Sequence, residues 1–257
     1  MAKELNQEAL ADQPPTTEDA DMAIYKITYS EKYRRATLHN HGCNFRCRGC
    51  TYKLKRNPRP AQFPTAQAIH DCLRELDLDA VHFMGGEPTT NPQLPDLLAF
   101  CKQKLGVTTR LGHTNGSGLV LENLDGSNVS FKVFDDQLHR EYTGHPAAPL
   151  FENFRRSYEA GLEMRASTVF NPDFGGLDQV EKVAAFVGAL DRSIPFHVLG
   201  YIPVPDAPWR RPTDGEMEQA VGIARRYLDT VTFSHFTSEQ AKDLEQRDDR
   251  FSVQQVL

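Results

Sequence analysis

At 257 residues, with 25% charged and 39% hydrophobic side chains, the chain can bury one full core. Much of its net charge of −6 sits in residues 1–21, where six acids face one lysine, so the remainder is near neutral. No apolar run is long enough for a bilayer span and no basic-then-apolar signal opens the chain. Five cysteines without an export signal indicate a reducing compartment rather than a disulfide scaffold, so a cytoplasmic protein is expected. Residues 1–22, acidic and poor in apolar side chains around Pro14-Pro15, read as a disordered tail. From residue 23 to 236 short apolar strands alternate with helix-length segments, the pattern of a parallel α/β domain. Strands are expected at Arg35–His41, Ala80–Met84, Val107–Thr114, Val129–Phe134, Met164–Phe170, Ile194–Ile202 and Val231–Ser234. Helices are expected at Thr65–Leu76, Pro95–Leu105, Pro149–Gly161, Leu177–Leu190 and Gly215–Leu228, and residues 237–257 read as a polar tail or helix.

Cys43, Cys47 and Cys50 stand in the order Cys-x3-Cys-x2-Cys directly after the first of those strands. Three thiolates suit a four-iron, four-sulfur (4Fe-4S) cluster, leaving one iron open to another ligand. A structural zinc site would need four ligands and a second ligand pair. Cys72 and Cys101 stand alone in apolar stretches, and His39 and His41 belong to the strand feeding the loop. Val81–Pro88 is an apolar strand that ends Gly85-Gly86-Glu87-Pro88, where two glycines let a ligand approach the backbone closely.

The run from His39 to Cys50, together with this Gly-Gly-Glu-Pro strand end, resembles the signature of the radical S-adenosylmethionine (SAM) superfamily. The resemblance implies a partial (β/α)6 TIM-like barrel, open, with parallel strands and with ligands at their carboxyl ends. It also implies one 4Fe-4S cluster on Cys43, Cys47 and Cys50, and SAM as the second cofactor. Within the superfamily, Val129–Asp135 followed by Leu138-His139-Arg140-Glu141-Tyr142-Thr143-Gly144 looks like the "DxK…LHxxxTG" region of glycyl-radical-enzyme activating enzymes. Glu163–Pro172, Ile194–Gly200 and Arg211-Pro212-Thr213 resemble their later motifs. No cysteine-rich insert follows the first motif, so the single-cluster type is the one resembled.

Carried over residue by residue, Gly85, Gly86 and Glu87 would hold the methionyl amine. Lys132 and Arg165 would address the carboxylate or ribose, and His197 the ribose or adenine. Gly49, Thr51, Thr114, Asn115 and Ser130 complete the implied cofactor-binding set; no catalytic residue is assigned. Ser130 and His113 replace two aspartates that in activating enzymes help bind a monovalent cation, so His113 or Lys132 would supply positive charge there. Gly49 stands where many members carry an aromatic, leaving Tyr52 to stack on adenine.

The expected activity is reductive SAM cleavage followed by hydrogen abstraction, with a glycine of a glycyl-radical enzyme as the leading substrate. A small molecule or another protein side chain is the alternative, since fold does not fix substrate. A simple electron carrier would leave the Gly85–Glu87 motif unexplained. Between Asn44 and His70 stand Arg46, Arg48, Lys53, Lys55, Arg56 and Arg59 with no acid. The bland reading of that patch is a solvated basic loop; among functional readings, docking of an acidic electron donor, a flavodoxin or ferredoxin, is favoured over nucleic-acid binding.

Overall fold

The computed structural model describes residues 23–54, 62–247 and 253–257. The strands are β1 (Ile24–Ser30), β2 (Arg35–Asn40), β3 (Ala80–Met84), β4 (Thr108–Thr114), β5 (Gly126–Phe131), β6 (Glu163–Phe170), β7 (Phe196–Gly200), β8 (Val231–Ser234) and β9 (Val253–Gln255). They form one open sheet in the order β8-β7-β6-β5-β4-β3-β2-β1-β9. From β2 to β8 every pairing is parallel, while β1 is antiparallel to both β2 and β9. The sheet is thus the expected open, parallel barrel segment, one parallel strand longer than six and edged by an antiparallel pair.

The helices are α1 (Ala66–Arg74), α2 (Leu94–Phe100, extended by a π turn over Cys101–Leu105), α3 (Asp136–Thr143), α4 (Ala148–Glu159), α5 (Gly176–Leu190), α6 (Asp214–Ala224) and α7 (Ser238–Arg247). Local chemistry starts them. The Thr65 hydroxyl accepts from Ala68 N at the head of α1, and Thr213 and Glu216 form a reciprocal capping box on α6. Helices cover one face of the sheet in two apolar clusters. One is built on β1–β4 with α1 and α2, the other on β5–β7 with α4, α5 and α6. Alternate strand residues face the other way. Val81 and Phe83 are fully buried in the helix-side core, whereas His82 between them lines a cavity with Arg35 and Arg110.

Three differences from the sequence reading have local causes. β5 begins at Gly126 rather than Val129 because a Cβ there would lie 2.6 Å from Glu163 O, so only glycine brings the two strands that close. It ends at Phe131 rather than Phe134 because the Gln179 amide oxygen takes the Phe134 and Asp135 N–H groups (2.8 and 2.9 Å) out of the ladder. The boundary at 236 also moves: Val253–Gln255 pairs with β1, and Val256 and Leu257 pack on the first apolar cluster. The acidic stretch 1–22 lies outside the described residues. No helix of the described residues is long and apolar enough to cross a membrane.

Candidate functional site

The loop after β2 carries the three cysteines at the carboxyl end of the sheet. Cys43, Cys47 and Cys50, with Phe45, Tyr52 and Gly86, border a cavity of about 270 Å³. The same sulfurs border an adjoining one of about 210 Å³ that reaches Lys132, His113 and Ser130. Helix α3 holds the loop in place. Arg46 N donates to Thr143 O and Arg48 N to Tyr142 O, both at 2.9 Å, using carbonyls of the last turn of α3. His145 Nε2 donates to Asn44 O at 2.8 Å, and the His145 ring stacks on Phe45 with centroids 4.8 Å apart. Gly144, in the left-handed conformation (φ 84°), ends α3 so that His145 can turn back onto the loop. Asn115 adds a bond from Nδ2 to Asn44 Oδ1 at 2.9 Å and a longer contact of 3.8 Å to Cys43 Sγ.

The glycine strand end is pressed against this loop. Gly85 and Gly86 have φ of 79° and 41°, and a Cβ on Gly86 would sit 1.8 Å from Gly42 O. Glu87 N donates to Gly42 O at 2.8 Å. The Glu87 side chain takes a different role from the expected one. It is fully buried; Oε1 accepts from Thr89 N (3.0 Å), Thr89 Oγ1 (2.7 Å) and Thr114 Oγ1 (2.7 Å), and Oε2 from Asn115 N (2.5 Å). Its carboxylate locks the ends of β3 and β4 together and does not line either cavity. Thr114 serves the same lock.

Lys132 is the only lysine or arginine among the described residues lining the smaller cavity, and its Nζ donates to Ser130 Oγ at 2.9 Å. Burial, with the charges of Lys132 and His197, pushes His113 down to about 4, so its ring is neutral at neutral pH and the positive charge falls to Lys132. Enclosure by protein, despite access through the cavity, pushes the Cys43 thiol up to about 11; the Phe45 N–H opposes this, and Glu87 and the neighbouring thiols add to it. Cys47 is raised by burial and drawn back by Lys132.

Two expected ligands stand apart. Arg165 lies near the amino end of β6, 57% exposed and 3.4 Å from Glu163 Oε1, and lines a separate cavity with Arg35, His82 and Arg110. His197 faces β8, with Nδ1 2.7 Å from Thr232 Oγ1 and Nε2 3.1 Å from Ser234 Oγ; Leu199, two residues on, borders the cavity instead. Gly49, Thr51 and Tyr52 do line it. A Cβ on Gly49 would lie 2.3 Å from Tyr142 Oη and 2.8 Å from Tyr201 Cε2, so these two rings fill the space of the absent aromatic. Tyr142, Tyr201, Val169 and Ile202 are wall residues to which the sequence reading gave no role; Tyr142 and Val169 stood inside the Leu138–Gly144 and Glu163–Pro172 motifs, while Tyr201 and Ile202 had only their place at the end of a strand. Of the basic stretch, Arg48 binds Glu141 at 2.6 Å and lies 4.7 Å over the Trp209 ring, and Lys53 donates to Arg48 O at 3.0 Å. Lys55, Arg56 and Arg59 lie outside the described residues.

The donor set fits a cluster better than a single ion. No three Cys, His, Asp or Glu side chains among the described residues converge on one ion position, whereas three sulfurs spread around a cavity match a group that takes one thiolate per iron.

Residues 37–185, more than half of the chain, match the profile of the radical SAM superfamily. A protein of Methanocaldococcus jannaschii, provisionally named a glycyl-radical enzyme activating enzyme, is 28% identical over 222 residues, 83% of this chain and 84% of that one. Among solved structures, Streptococcus suis SuiB bound to S-adenosylmethionine superposes with a TM-score of 0.59 at 19% identity over 76% of this chain. This chain spans about half (48%) of SuiB. A domain of pyruvate-formate lyase-activating enzyme from Bacteroides vulgatus superposes with a TM-score of 0.50 at 22% identity, covering 60% of this chain and 98% of that domain. Both structural likenesses show a shared fold.

Proposed function

Because the chain belongs to the radical SAM superfamily, we propose that Cys43, Cys47 and Cys50 hold one 4Fe-4S cluster and that the adjoining cavity receives SAM. When bound and reduced, the cluster supplies the electron that splits SAM into methionine and a 5′-deoxyadenosyl radical, which takes a hydrogen atom from the substrate. The observation that carries this reading is the shared cavity wall: the three cysteines and Lys132 border the same space. Lys132 offers its ammonium to the SAM carboxylate, and the Gly85-Gly86 turn, pressed against Asn40 and Gly42, sets Gly86 on the cavity wall beside the cysteines. Val169, Leu199 and Ile202 give an apolar wall for the adenine.

The substrate proposed is a glycine of a partner glycyl-radical enzyme. The support is the Methanocaldococcus relative, similar over 83% of this chain. The test is anaerobic incubation of reconstituted protein with SAM, a reductant and the candidate partner. Formation of 5′-deoxyadenosine with a glycine-centred radical signal on the partner is expected. Deoxyadenosine without that signal moves the assignment to the second reading, a small molecule or another protein side chain. That reading draws on Ser130 and neutral His113 standing where activating enzymes have aspartates. Alanine at Cys43, Cys47 or Cys50 should abolish cluster absorbance and SAM cleavage, and alanine at Cys72 or Cys101 should spare both. A need for Cys72 or Cys101 would overturn the three-ligand assignment. An acidic flavodoxin or ferredoxin is the proposed electron donor, drawn by the basic stretch that begins at Arg46.

A further inference from the structure

Asn115, the residue after β4, is 7% exposed and is held through its backbone N–H and both ends of its side-chain amide. The backbone N–H donates to Glu87 Oε2 at 2.5 Å. Oδ1 accepts from Ser117 N at 2.8 Å, which fixes the direction of the amide: its acceptor end faces the turn, so its NH2 end faces the cysteine loop. That NH2 group serves two acceptors, Asn44 Oδ1 at 2.9 Å and Cys43 Sγ at 3.8 Å, the longer reach suiting the larger sulfur atom. The turn is pinned in its own right, since Asn153 Nδ2 of α4 donates to Gly116 O and to Ser117 O, both at 3.0 Å. Cys43 Sγ also receives Phe45 N at 3.4 Å. Two N–H groups, one from the cysteine loop and one from the end of β4, therefore meet at one sulfur.

We propose that Asn115 is a positioning residue for the cluster: its amide donates to the Cys43 thiolate and raises the reduction potential of the group that Cys43, Cys47 and Cys50 hold. The inference rests on the three-cysteine reading above. Hydrogen bonds to the sulfurs are one of the levers that set the potential of an iron–sulfur cluster, and outer partners of a metal ligand orient it. An added electron makes the thiolate a better acceptor, so the N–H···S bond is stronger in the reduced state. A bond stronger in one of two states draws the equilibrium toward that state. Two other roles compete. Asn115 also borders the cavity that reaches Lys132, which would suit a direct ligand of SAM, but Asn44 and Cys43 already take both hydrogens of its NH2 group. Its bond to Asn44 would also suit a brace of the loop and nothing more.

The test uses the full-length, cluster-loaded protein without SAM and reads the midpoint potential by a redox titration followed by electron paramagnetic resonance. Asn115→Leu removes the donor. Asn115→Asp is nearly isosteric, keeps an oxygen for Ser117 N and turns the NH2 end into an acceptor. Both should be harder to reduce, by about tenfold in the reduction equilibrium, which is about 59 mV for a one-electron couple. Asn44→Ala removes the brace but leaves the donor to Cys43, and should keep the wild-type midpoint whatever its cluster content. In wild type carrying isotopic nitrogen in its asparagine side chains, the reduced cluster should show a weak nitrogen hyperfine coupling that Asn115→Asp lacks. This readout and the Asp variant carry the test should Asn115→Leu fail to assemble a cluster. An Asn115→Asp midpoint equal to wild type overturns the proposal, whether or not cluster content or SAM affinity falls, because Asn115 would then brace the loop or serve SAM. A lowered midpoint with no such coupling in wild type overturns it as well, since added charge alone would be the cause. So does an Asn44→Ala midpoint as low as that of Asn115→Leu. A wild-type chain that takes up no 4Fe-4S cluster sinks the three-cysteine reading itself, an outcome distinct from an assembled cluster whose midpoint ignores Asn115.

Discussion

Glu87 accepts four hydrogen bonds while fully enclosed, from Thr89 N and Oγ1, Thr114 Oγ1 and Asn115 N. Replacing it with Gln keeps the shape but turns one acceptor into an NH2 group, which must then face a donor. Glu87→Gln should therefore lower folding stability by about 1–3 kcal/mol, the cost of an unsatisfied buried group. Urea denaturation measures it; unchanged stability with lost SAM affinity would return Glu87 to a direct ligand role. Lys132 makes the opposite case. Its Nζ bonds Ser130 Oγ, a neighbour two residues away, so Lys132→Met should leave fold and cluster absorbance intact. SAM should bind about tenfold or more weakly, the order of a lost charge-assisted contact, by calorimetry. Equal SAM affinity would remove Lys132 from the site. The sequence made the need for two glycines plain, because close approach leaves few alternatives to that residue. It could not show where the Glu87 carboxylate points, since two of its four donors, Thr114 Oγ1 and Asn115 N, depend on how β3 and β4 align.

At the scale of one element, α3 joins two motifs separated by about ninety residues. Its last carbonyls take Arg46 N and Arg48 N, and Tyr142 closes the space over Gly49. The sequence reading saw Leu138–Gly144 as a motif without a role, because hydrogen bonds to a distant loop leave no local period. Gly49→Ala places a methyl 2.3 Å from Tyr142 Oη, so the cysteine loop must shift away from α3. Cluster content after reconstitution, read by absorbance and iron analysis, should fall several-fold. Adding Tyr142→Phe removes the nearest atom and should restore part of it; the Tyr201 contact at 2.8 Å keeps the rescue incomplete. A Gly49→Ala protein with full cluster content would mean that α3 does not set the loop's position. The same contacts explain why burial pushes the Tyr142 hydroxyl upward, with Cys47, Tyr201 and Cys50 adding to the effect.

For the whole molecule, the alternation of strands and helices was readable because β2–β7 each bury an apolar helix-side face. The antiparallel edge was not, since β9 is three exposed residues, Val253–Gln255, that pair with β1 only through the chain's return. Least readable was the inward face, which carries Arg35, His82, Arg110, His113, Lys132 and Arg165 beside apolar residues such as Val169 and Leu199. That face predicts how stability depends on pH. His82 and His113 titrate near 4 in the folded chain, held there by burial first and then by the arginines and Lys132. Unfolded, each returns to about 6.5. As pH falls below 6.5 the unfolded chain takes up protons that the folded chain refuses, so stability drops until pH approaches 4 and changes little above 7. Each histidine contributes at most about 1.4 kcal/mol per pH unit inside that window. Urea midpoints between pH 7.5 and 4.5, in buffers without phosphate, should fall steadily for wild type. A His82→Gln, His113→Gln double variant should show a flatter profile over the same range. Identical slopes in the two proteins would mean that water reaches both rings and that burial does not hold them neutral.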